Sequence, residues 1–546
     1  MKMNGAQVLV RALEDQGVDI VFGYPGGAVL EIFDALEESP IDLVLVRHEQ
    51  GGAHAASGYA RALGRPGVCI ATSGPGATNL VTGIATAYMD SIPLVVITGQ
   101  VPKVMVGTDA FQEVDITGIT SPITKYNYLV QDVGSLSKIV AEAFYIAASG
   151  RPGPVLIDIP RDVSLDITEY KPYTKVDIRS YKPTLKGHPT MIKNALKLLI
   201  EAQKPLICTG GGVVSSGASA EVKQLAEKTG ARVVSTLMGL GSFPGNDASF
   251  LGMLGTYGNY SANMAVQNCD CFLALGMRFD DRVVGNPEKF APNAKVIHID
   301  IDPAEICKNI SVDVPIVGDI KNILQNMLEQ LGEFENPGVV DNQKEKSSVV
   351  EGLNVPWVLK NLNKIAPEDL IITTDVGQHQ LWTAQHFTFN MPRSFISSGG
   401  LGTMGYGIPA ALGAQLAQPD KKVVVITGDG SFQMGMPELG TIAELNLPIK
   451  IIIFNNGTLG MVRQLQHHYC GRRYTGVNFQ KTLDFMYLAK AYGAEGFRIK
   501  NVHEVPDVLE KALNNNKFTI IECPINPQDL VLPIVLGSNG LDEMEL

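Results

Sequence analysis

The stretch that decides the fold is Val423-Val-Val-Ile-Thr-Gly-Asp-Gly-Ser431, with its continuation Ile449-Lys-Ile-Ile-Ile-Phe-Asn-Asn456. Each part begins as a β-branched run typical of a buried parallel strand. Because the carboxyl ends of parallel strands meet at one edge of a sheet, we expect Asp429 and Asn456 to lie together. With a nearby backbone carbonyl, their oxygens suit Mg²⁺ or Ca²⁺, and the glycines let the backbone approach a diphosphate. A Gly-Asp-Gly turn alone is more often a plain strand-to-helix connection, but its pairing with Asn-Asn favours a diphosphate–metal clamp.

Similar short strands alternate with helix-like segments along the whole chain, which is the signature of α/β architecture with parallel sheets. Two polar, aperiodic stretches, 166–188 and 332–352, interrupt this alternation and are typical of interdomain linkers. We therefore predict domains at 1–166, 189–332 and 353–546.

The first and last of these domains share a pattern. In each, a strand ending in threonine meets a glycine turn, at Ser73-Gly-Pro-Gly76 and at Gly428-Asp-Gly430, and a helix and a second buried strand follow. The sequence therefore predicts three α/β domains with parallel sheets, and a ligand held between the two similar outer domains.

Composition excludes several classes of protein. The chain has 546 residues, of which 45% are hydrophobic, and its charge of 44 − 56 = −12 argues against nucleic acid as a partner. No apolar stretch approaches the length of a membrane span, and the first residues show a helix pattern that ends at Gly17 instead of a targeting peptide. The 7 cysteines are scattered and do not make a disulfide framework, so we expect a soluble, cytoplasmic protein.

The paired motifs resemble those of the thiamine diphosphate (ThDP) enzymes. The resemblance implies that Asp429, Asn456 and the backbone of Thr458 hold Mg²⁺. It also implies a glutamate from a neighbouring subunit that hydrogen-bonds the aminopyrimidine ring, and we assign this role to Glu49 in Arg47-His-Glu-Gln50. In isolation, Glu49 is more simply a carboxylate that stabilises the N-terminus of a helix.

The resemblance narrows to the catalytic subunits of acetolactate (acetohydroxyacid) synthases and covers nearly the whole chain. The stretches that carry it include Gly23-Tyr-Pro-Gly-Gly-Ala28, Thr72-Ser-Gly-Pro-Gly-Ala-Thr-Asn79, Gly107-Thr-Asp-Ala-Phe-Gln112, Gly150-Arg-Pro-Gly-Pro154, Arg278-Phe-Asp-Asp-Arg282, Met404-Gly-Tyr-Gly407 and Leu459-Gly-Met-Val462. It implies an enzyme that decarboxylates pyruvate and joins the two-carbon unit to a second 2-oxo acid, giving 2-acetolactate or 2-aceto-2-hydroxybutyrate for branched-chain amino-acid synthesis. It also implies three doubly wound α/β domains with parallel, six-stranded-type sheets, which bind the pyrimidine, FAD and the diphosphate in that order. Active sites shared between subunits of a homo-oligomer, and a possible small regulatory subunit, are implied as well.

Further roles follow from the same resemblance. Gly26 and Gly27 are expected beside the reacting carbon, where backbone N–H groups stabilise an oxyanion. Phe111 and Gln112 are expected to border the substrate channel. Met404, which as a bare residue would more often be core filler, is expected to support the bent cofactor. The remaining ThDP contacts are expected from Gly377, Gln378, His379, Gly402, Gly428, Gly430 and Ser431.

The middle domain is expected to bind FAD. The turn Gly210-Gly211-Gly212 follows a strand, and Asp300 ends another, where its carboxylate could meet a ribose or adenine edge. Arg278 and Arg151 complete the expected set. Tight packing between sheet and helix explains the three glycines equally well when the family context is set aside.

Three positions depart from the family pattern. Leu465 stands where many synthases have tryptophan as a wall of the acceptor pocket, which puts the preference for 2-oxobutanoate over pyruvate in doubt. Arg161 replaces a lysine of the channel mouth, and Tyr257 replaces a histidine near the flavin. The alternatives left open are a flavin-free catabolic acetolactate synthase, another ThDP-dependent 2-oxo acid decarboxylase or carboligase, and a non-catalytic ThDP-binding protein.

Overall fold

The computed structural model describes residues 2–334 and 351–546 and contains three six-stranded sheets in which every neighbouring pair of strands is parallel. The α/β class and the three-sheet architecture are therefore as predicted. Among the described residues, no helix combines the length and the apolar character that crossing a membrane requires.

The N-terminal sheet is built from the first 160 residues. Its strands, in spatial order, are Asp42–Leu45, Ile20–Tyr24, Gly67–Ala71, Leu94–Gln100, Pro154–Pro160 and Tyr126–Leu129. The helices around it are Gly5–Asp15, Leu30–Glu37, Glu49–Leu63, Pro75–Asn79, Val81–Met89, Ile116–Thr120, Leu136–Ala148 and Arg161–Leu165. The central strands are buried along their whole length, which is why they read as continuous apolar runs.

The middle sheet has the strand order of a dinucleotide-binding fold. Its strands, in spatial order, are Phe250–Met253, Arg232–Ser235, Pro205–Thr209, Cys271–Leu275, Lys295–Asp300 and Val314–Val317. Numbered along the chain, this order is 3-2-1-4-5-6, the order of sheets that bind dinucleotides at the switch point beside strand 1. Its helices are Pro189–Glu201, Gly211–Ser216, Ser219–Thr229, Tyr260–Asn268, Asp281–Val284 and Ile320–Leu331.

The C-terminal sheet repeats the strand order of the first. Its strands, in spatial order, are Phe395–Ile396, Ile371–Thr374, Val423–Gly428, Lys450–Asn455, Thr519–Pro524 and Glu495–Arg498. Both outer sheets thus run 2-1-3-4-6-5, which supports the shared pattern inferred from the sequence. Its helices are Val355–Ile365, Gln378–His386, Gly407–Ala417, Asp429–Gly435, Leu439–Glu444, Gly460–Tyr469, Phe485–Ala491 and Val505–Asn514.

Short elements complete the fold. Two antiparallel pairs join Lys2–Asn4 to Ile167–Glu169 and Ile534–Val535 to Met544–Glu545. The first pair corrects the sequence analysis in a detail, because a strand precedes the N-terminal helix, which then ends before Gly17 as predicted. The 3₁₀ turns are Lys103–Met105, Ser121–Ile123, Val133–Ser135, Leu237–Gly239, Pro287–Lys289, Pro303–Glu305, Met436–Glu438 and Val502–Glu504.

The outer domains pack against each other through small residues. The helices Glu49–Leu63 and Gly407–Ala417 lie so close that a Cβ on Gly58 would overlap the Ala410 carbonyl, and one on Gly413 would overlap the Ala55 carbonyl. Backbone therefore meets backbone along this contact, and only glycine fits at these positions.

The two predicted linkers differ in how much of each the structure describes. Residues 170–188 form no helix or strand, yet they pack on the N-terminal domain, because the Tyr181 hydroxyl donates to the Ser149 carbonyl at 2.7 Å and Lys125 Nζ lies 2.9 Å from that hydroxyl. Most of the second linker, 335–350, lies outside the described residues. The domain boundaries themselves remain predictions.

Candidate active site

A small cavity at the carboxyl edge of the C-terminal sheet collects nearly all of the predicted ThDP and metal residues. The strand Val423–Gly428 delivers Asp429 to this edge, and the strand Lys450–Asn455 delivers Asn456. Its lining includes Gly377, Gln378, His379, Met404, Gly428, Asp429, Gly430, Ser431, Asn456 and Thr458. The structure thus brings together the Gly-Asp-Gly and Asn-Asn ends of the predicted diphosphate–metal clamp.

Asp429 is a buried carboxylate without a cationic partner among the described residues. Its side chain accepts from the Gly457 N–H at 3.1 Å, and the Asn456 side-chain oxygen lies 3.1 Å from the Thr458 N–H. Burial raises the pKa of Asp429 to about 6, although neighbouring N–H groups oppose the shift. A divalent cation would relieve this cost. One carboxylate, one amide oxygen and a backbone carbonyl fit Mg²⁺, which keeps its other positions for water and phosphate.

His379 provides a second buried polar group in the same cavity. Burial lowers its pKa to about 3, so the ring is neutral at pH 7, and Nε2 has no hydrogen-bond partner in the described structure. A Cβ on Gly377 would lie 2.8 Å from the ring, and one on Gly428 would lie 3.1 Å from it. These glycines leave the space in which the imidazole sits. Its free ring nitrogen fits a phosphate or other polar group of a cofactor.

Two other lining side chains already have protein partners. Gln378 Nε2 donates to the side-chain oxygen of Gln464 at 2.8 Å and to the Asp529 carbonyl at 2.9 Å, while the Ser431 hydroxyl donates to the Val376 carbonyl at 3.1 Å. Both residues line the cavity, but these donor groups are already used in hydrogen bonds within the protein. Sequence patterns give no sign of such partners.

Glu49 lies apart from this cavity, at the carboxyl edge of the N-terminal sheet. It is the first residue of its helix, and its carboxylate accepts from Asn79 Nδ2 at 2.9 Å. A Cβ on Gly76 would lie 3.3 Å from that carboxylate. The structure therefore shows the helix-start position of Glu49, but not a meeting of Glu49 with Asp429 in one chain.

The other residues expected near the substrate share this N-terminal edge. Gly26 is half-buried, Gly27 is exposed with open space where a Cβ would point, and Phe111 is 87% exposed. Gln112 has a positive φ of 60° and packs on Gly74, whose φ is also positive. This edge is thus a surface whose backbone N–H groups and aromatic ring are open to a second molecule.

A second, much larger cavity of about 1010 Å³ lies between all three domains. Its volume reaches the upper end of the range of ligand sites, roughly 300–1,000 Å³. The predicted residues that line it are Arg151, Gly211, Gly212, Arg278, Asp300, Gly377, Gly402 and Leu465. Leu185 also lines it, so the predicted first linker forms part of a wall. Strand order and cavity volume together fit a dinucleotide such as FAD.

Gly210 is the exception among the predicted flavin residues. It does not line the cavity, and a Cβ there would overlap the Gly276 carbonyl. Tight packing, the alternative left open above, therefore explains Gly210, whereas Gly211 and Gly212 lie on the cavity wall. A Cβ on Gly212 would also come within 2.7 Å of the Gly276 Cα.

Charged groups of the large cavity are held by one another. Arg151 donates from Nη1 to Glu305 at 2.6 Å and to Asp302 at 3.2 Å, and so ties the N-terminal domain to the middle one. Burial raises the pKa of Asp300 to about 7, and Arg278 pairs with Asp280 at 3.5 Å. A buried carboxyl that is partly protonated at neutral pH can donate as well as accept a hydrogen bond.

The two cavities adjoin. Val376, Gly377 and Met461 line both of them, and Tyr257 donates its hydroxyl to the Met461 sulfur at 3.5 Å. Leu465 lies one helical turn beyond Met461 on the large cavity. Two of the three family departures therefore lie near the junction.

Arg161 is placed elsewhere. Its guanidinium pairs with Glu31 at 3.0 Å on the surface of the N-terminal domain. It lines neither cavity.

Sequence analysis missed the group that fixes the Met404 segment. The Asp375 carboxylate accepts from the N–H groups of Gly405 and Gly407 at 2.8 and 3.0 Å and from the Thr427 hydroxyl at 2.7 Å. Burial raises its pKa. No local motif marks such a residue, since its partners are 30 to 52 positions away.

Comparison with known proteins finds matches along most of the chain. Three family models match: the N-terminal TPP binding domain of thiamine pyrophosphate enzymes at residues 3–119, the central domain at 192–327 and the C-terminal TPP binding domain at 375–523. The "Probable acetolactate synthase large subunit" of Methanocaldococcus jannaschii is 48% identical, over 98% of this chain and 93% of that protein.

The chain belongs to the acetolactate synthase large-subunit family of thiamine diphosphate enzymes. A second relative, the "Acetolactate synthase isozyme 3 large subunit" of Escherichia coli (strain K12), is 45% identical over 100% of this chain and 98% of its own length. The "Acetolactate synthase" of Mycobacterium bovis is 46% identical over 100% of this chain and 91% of its own. The family resemblance read from the motifs is confirmed, and with it a ThDP-dependent enzyme.

Proposed function

We propose that the protein is the catalytic subunit of an acetolactate synthase that decarboxylates pyruvate and joins the two-carbon unit to a second 2-oxo acid. The products would be 2-acetolactate from pyruvate and 2-aceto-2-hydroxybutyrate from 2-oxobutanoate, for branched-chain amino-acid synthesis. The observation that carries the proposal is the buried Asp429 beside Asn456, with no cationic side chain among the described residues to neutralise it. The free ring nitrogen of His379 in the same cavity supports it.

The chain's own residues would position ThDP and Mg²⁺. Asp429, Asn456 and the Thr458 backbone would bind the metal, and His379 would donate or accept at the diphosphate end. Met404 would lie under the cofactor. When bound, ThDP supplies the electron sink for decarboxylation, and the protein supplies binding, orientation and electrostatics.

We assign the large cavity to FAD. Arg151, Arg278 and Asp300 are spread along its wall, and Gly211 and Gly212 let a ligand approach the backbone at the first strand of the middle sheet. The cavity's volume argues against a flavin-free synthase. The visible spectrum of the purified protein tests this assignment, because a preparation with no flavin absorbance would remove it.

The Glu49 edge would complete the active site of a second copy. Glu49, Gly26, Gly27, Phe111 and Gln112 lie on one open surface, and Phe111 is too exposed for a side chain that serves only its own chain. In a homodimer or a tetramer of such dimers, this surface would meet the Asp429 cavity of the neighbour. We also propose that a small regulatory subunit binds, in keeping with the large-subunit names of the relatives.

A mixing experiment tests the shared site. Glu49→Gln and Asp429→Asn, each in a separately tagged chain, should each lose activity by about 10² or more. Randomly mixed dimers would be half hybrids, and each hybrid would keep one intact site, so roughly a quarter of wild-type activity should return. Hybrids isolated through both tags that stay as inactive as their parents would show that the site is not shared.

A further inference from the structure

The segment between the two cavities is held by a helix of the other outer domain. Ser398 to Gly402 line the large cavity, and Met404 lines the small one. Asp375 fixes the far end of this segment through Gly405 and Gly407. At its near end, Gln380 donates to the Ser398 carbonyl at 3.1 Å, but among the described residues of this domain no carboxylate accepts from the N–H groups of Gly399 and Gly400.

Asp90 supplies that partner from the N-terminal domain. Its two carboxylate oxygens accept from the Gly400 N–H at 2.6 Å and from the Gly399 N–H at 3.2 Å. A Cβ on Gly400 would lie 2.9 Å from the carboxylate, so the approach requires a glycine. Arg61 neutralises Asp90 across 2.5 Å, and both side chains are almost wholly buried.

A negative charge at the position of Asp90 destabilises the helix that it ends. Asp90 ends the helix Val81–Met89, where the helix dipole disfavours a negative charge. The buried Arg61 offsets this cost, and the guanidinium also lies over the Tyr406 ring at 5.5 Å. Asp90 therefore does not serve its own helix. What its carboxylate does provide, once Arg61 neutralises it, is the acceptor for the N–H groups of Gly399 and Gly400.

Thr86 lies one turn before Asp90 on the same face of the helix and holds the next part of the segment. Its hydroxyl is 2.7 Å from the Thr403 hydroxyl and 2.8 Å from the Thr82 carbonyl. Because the Thr86 hydroxyl gives its single proton to the Thr82 carbonyl, the Thr403 hydroxyl donates to Thr86. One helix face thus contacts the segment at Gly399, Gly400 and Thr403.

We infer that Asp90 and Thr86 are positioning residues that hold the 398–404 segment between the two cavities and thereby set the affinity for both cofactors. The inference rests on the proposed function for its ligands, but the contacts it invokes exist without them. Thr86 lines neither cavity, and Asp90 lines the large one but directs its carboxylate to the two glycines and Arg61, so neither residue is expected to touch a reacting atom. Their loss should act through the placement of Gly402 and Met404.

Amide exchange in the unliganded full chain tests the contacts directly. In Asp90→Asn, deuterium exchange of the peptide that carries Gly399 and Gly400 should rise by about tenfold, because hydrogen bonds to a charged acceptor are lost. Asp19→Asn is the control, since Asp19 pairs with Arg65, just after the helix Glu49–Leu63 that carries Arg61, but this pair is exposed and does not contact the segment. Equal exchange in the two variants would overturn the inference.

Cofactor affinity tests the consequence. Trp382, one of two tryptophans in the chain, lines the small cavity, so quenching of its fluorescence reports ThDP binding with Mg²⁺ present. Thr86→Val should raise the Kd for ThDP and for FAD several-fold, Thr86→Ser should restore both, and Thr82→Val, at an exposed residue in the first turn of the helix, should change neither. A lowered melting temperature with unchanged Kd values would show that Thr86 only stabilises the fold.

The two experiments separate two kinds of failure. If the wild-type protein binds no ThDP, the proposed function is wrong, and the exchange measurement still decides whether Asp90 holds the segment. If ThDP binds but Thr86→Val and Asp90→Asn bind it as the controls do, the positioning role is wrong and the proposed function stands.

Discussion

Replacing Asp429 with asparagine should stabilise the unliganded protein while removing its response to metal and cofactor. The carboxylate is buried, and its pKa is raised from 3.8 to about 6. A carboxyl with these values in the unfolded and folded states destabilises the fold at pH 7 by about 3 kcal/mol. The penalty is absent below the unfolded pKa, grows as the pH rises to about 6 and is constant above it.

The neutral amide removes this penalty but brings an N–H group that needs an acceptor, so we expect a net gain of about 2 kcal/mol. For a domain of this size, that gain corresponds to a rise of about 4 to 8 °C in the melting temperature at pH 7. At pH 4 the difference between the two proteins should nearly vanish, because Asp429 is then protonated in the folded state.

Calorimetry with and without Mg²⁺ and ThDP measures both effects. Wild type should gain about 2.7 kcal/mol at a ligand concentration of 100 Kd, and Asp429→Asn should gain nothing. Asp158→Asn is the control, because Asp158 is a buried carboxyl with a pKa raised to about 7 that hydrogen-bonds Thr98 and Gln100 far from the cavity. It should keep the ligand response. A less stable Asp429→Asn that still responds to Mg²⁺ and ThDP would refute the assignment.

Three further outcomes are expected. Glu49→Gln should lower kcat by about 10² or more, because a positioned acid–base group acts on the rate. The stabilisation by Mg²⁺ and ThDP should stay largely intact, because Glu49 lies outside the Asp429 cavity. Unchanged turnover would remove the catalytic role of Glu49. Leu465→Trp should shift the product from 2-acetolactate toward 2-aceto-2-hydroxybutyrate by about tenfold in competition assays. The reason is that 2-oxobutanoate has one methylene more than pyruvate, and contact of one methylene with an apolar wall changes selectivity by about that factor. An unchanged product ratio would place the acceptor elsewhere. Gly211→Val should abolish flavin absorbance yet keep the ThDP response, because Gly211 lines the large cavity and an added Cβ there comes no closer than 3.3 Å to another atom, so the side chain fills ligand space without displacing backbone; retained flavin would contradict the FAD assignment.

The sequence was most informative where chemistry and secondary structure coincide. The strand-ending Gly-Asp-Gly and Asn-Asn were expected at one sheet edge, and Asp429 and Asn456 line one cavity there. The reason is physical, since parallel strands bring their carboxyl ends to the same side. The common strand order of the outer sheets likewise follows a pattern of strand, glycine turn and helix that can be read locally.

What the sequence could not supply are contacts between distant segments. Gly210 was expected at a phosphate, but it is required by the backbone of Gly276, which belongs to a neighbouring strand end. Asp90 holds amides about three hundred positions away, and no spacing rule links a helix end to such a partner. The placement of Glu49 on a separate edge depends on how domains pack, which local periodicity does not encode.

A product assay tests the central claim most directly. The purified chain, supplied with pyruvate, Mg²⁺, ThDP and FAD, is assayed for 2-acetolactate, and the same assay is repeated with 2-oxobutanoate added. We predict 2-acetolactate from pyruvate alone and 2-aceto-2-hydroxybutyrate in the second assay, both abolished in Asp429→Asn. Acetaldehyde as the sole product, or no consumption of pyruvate at all, would contradict the proposed carboligase.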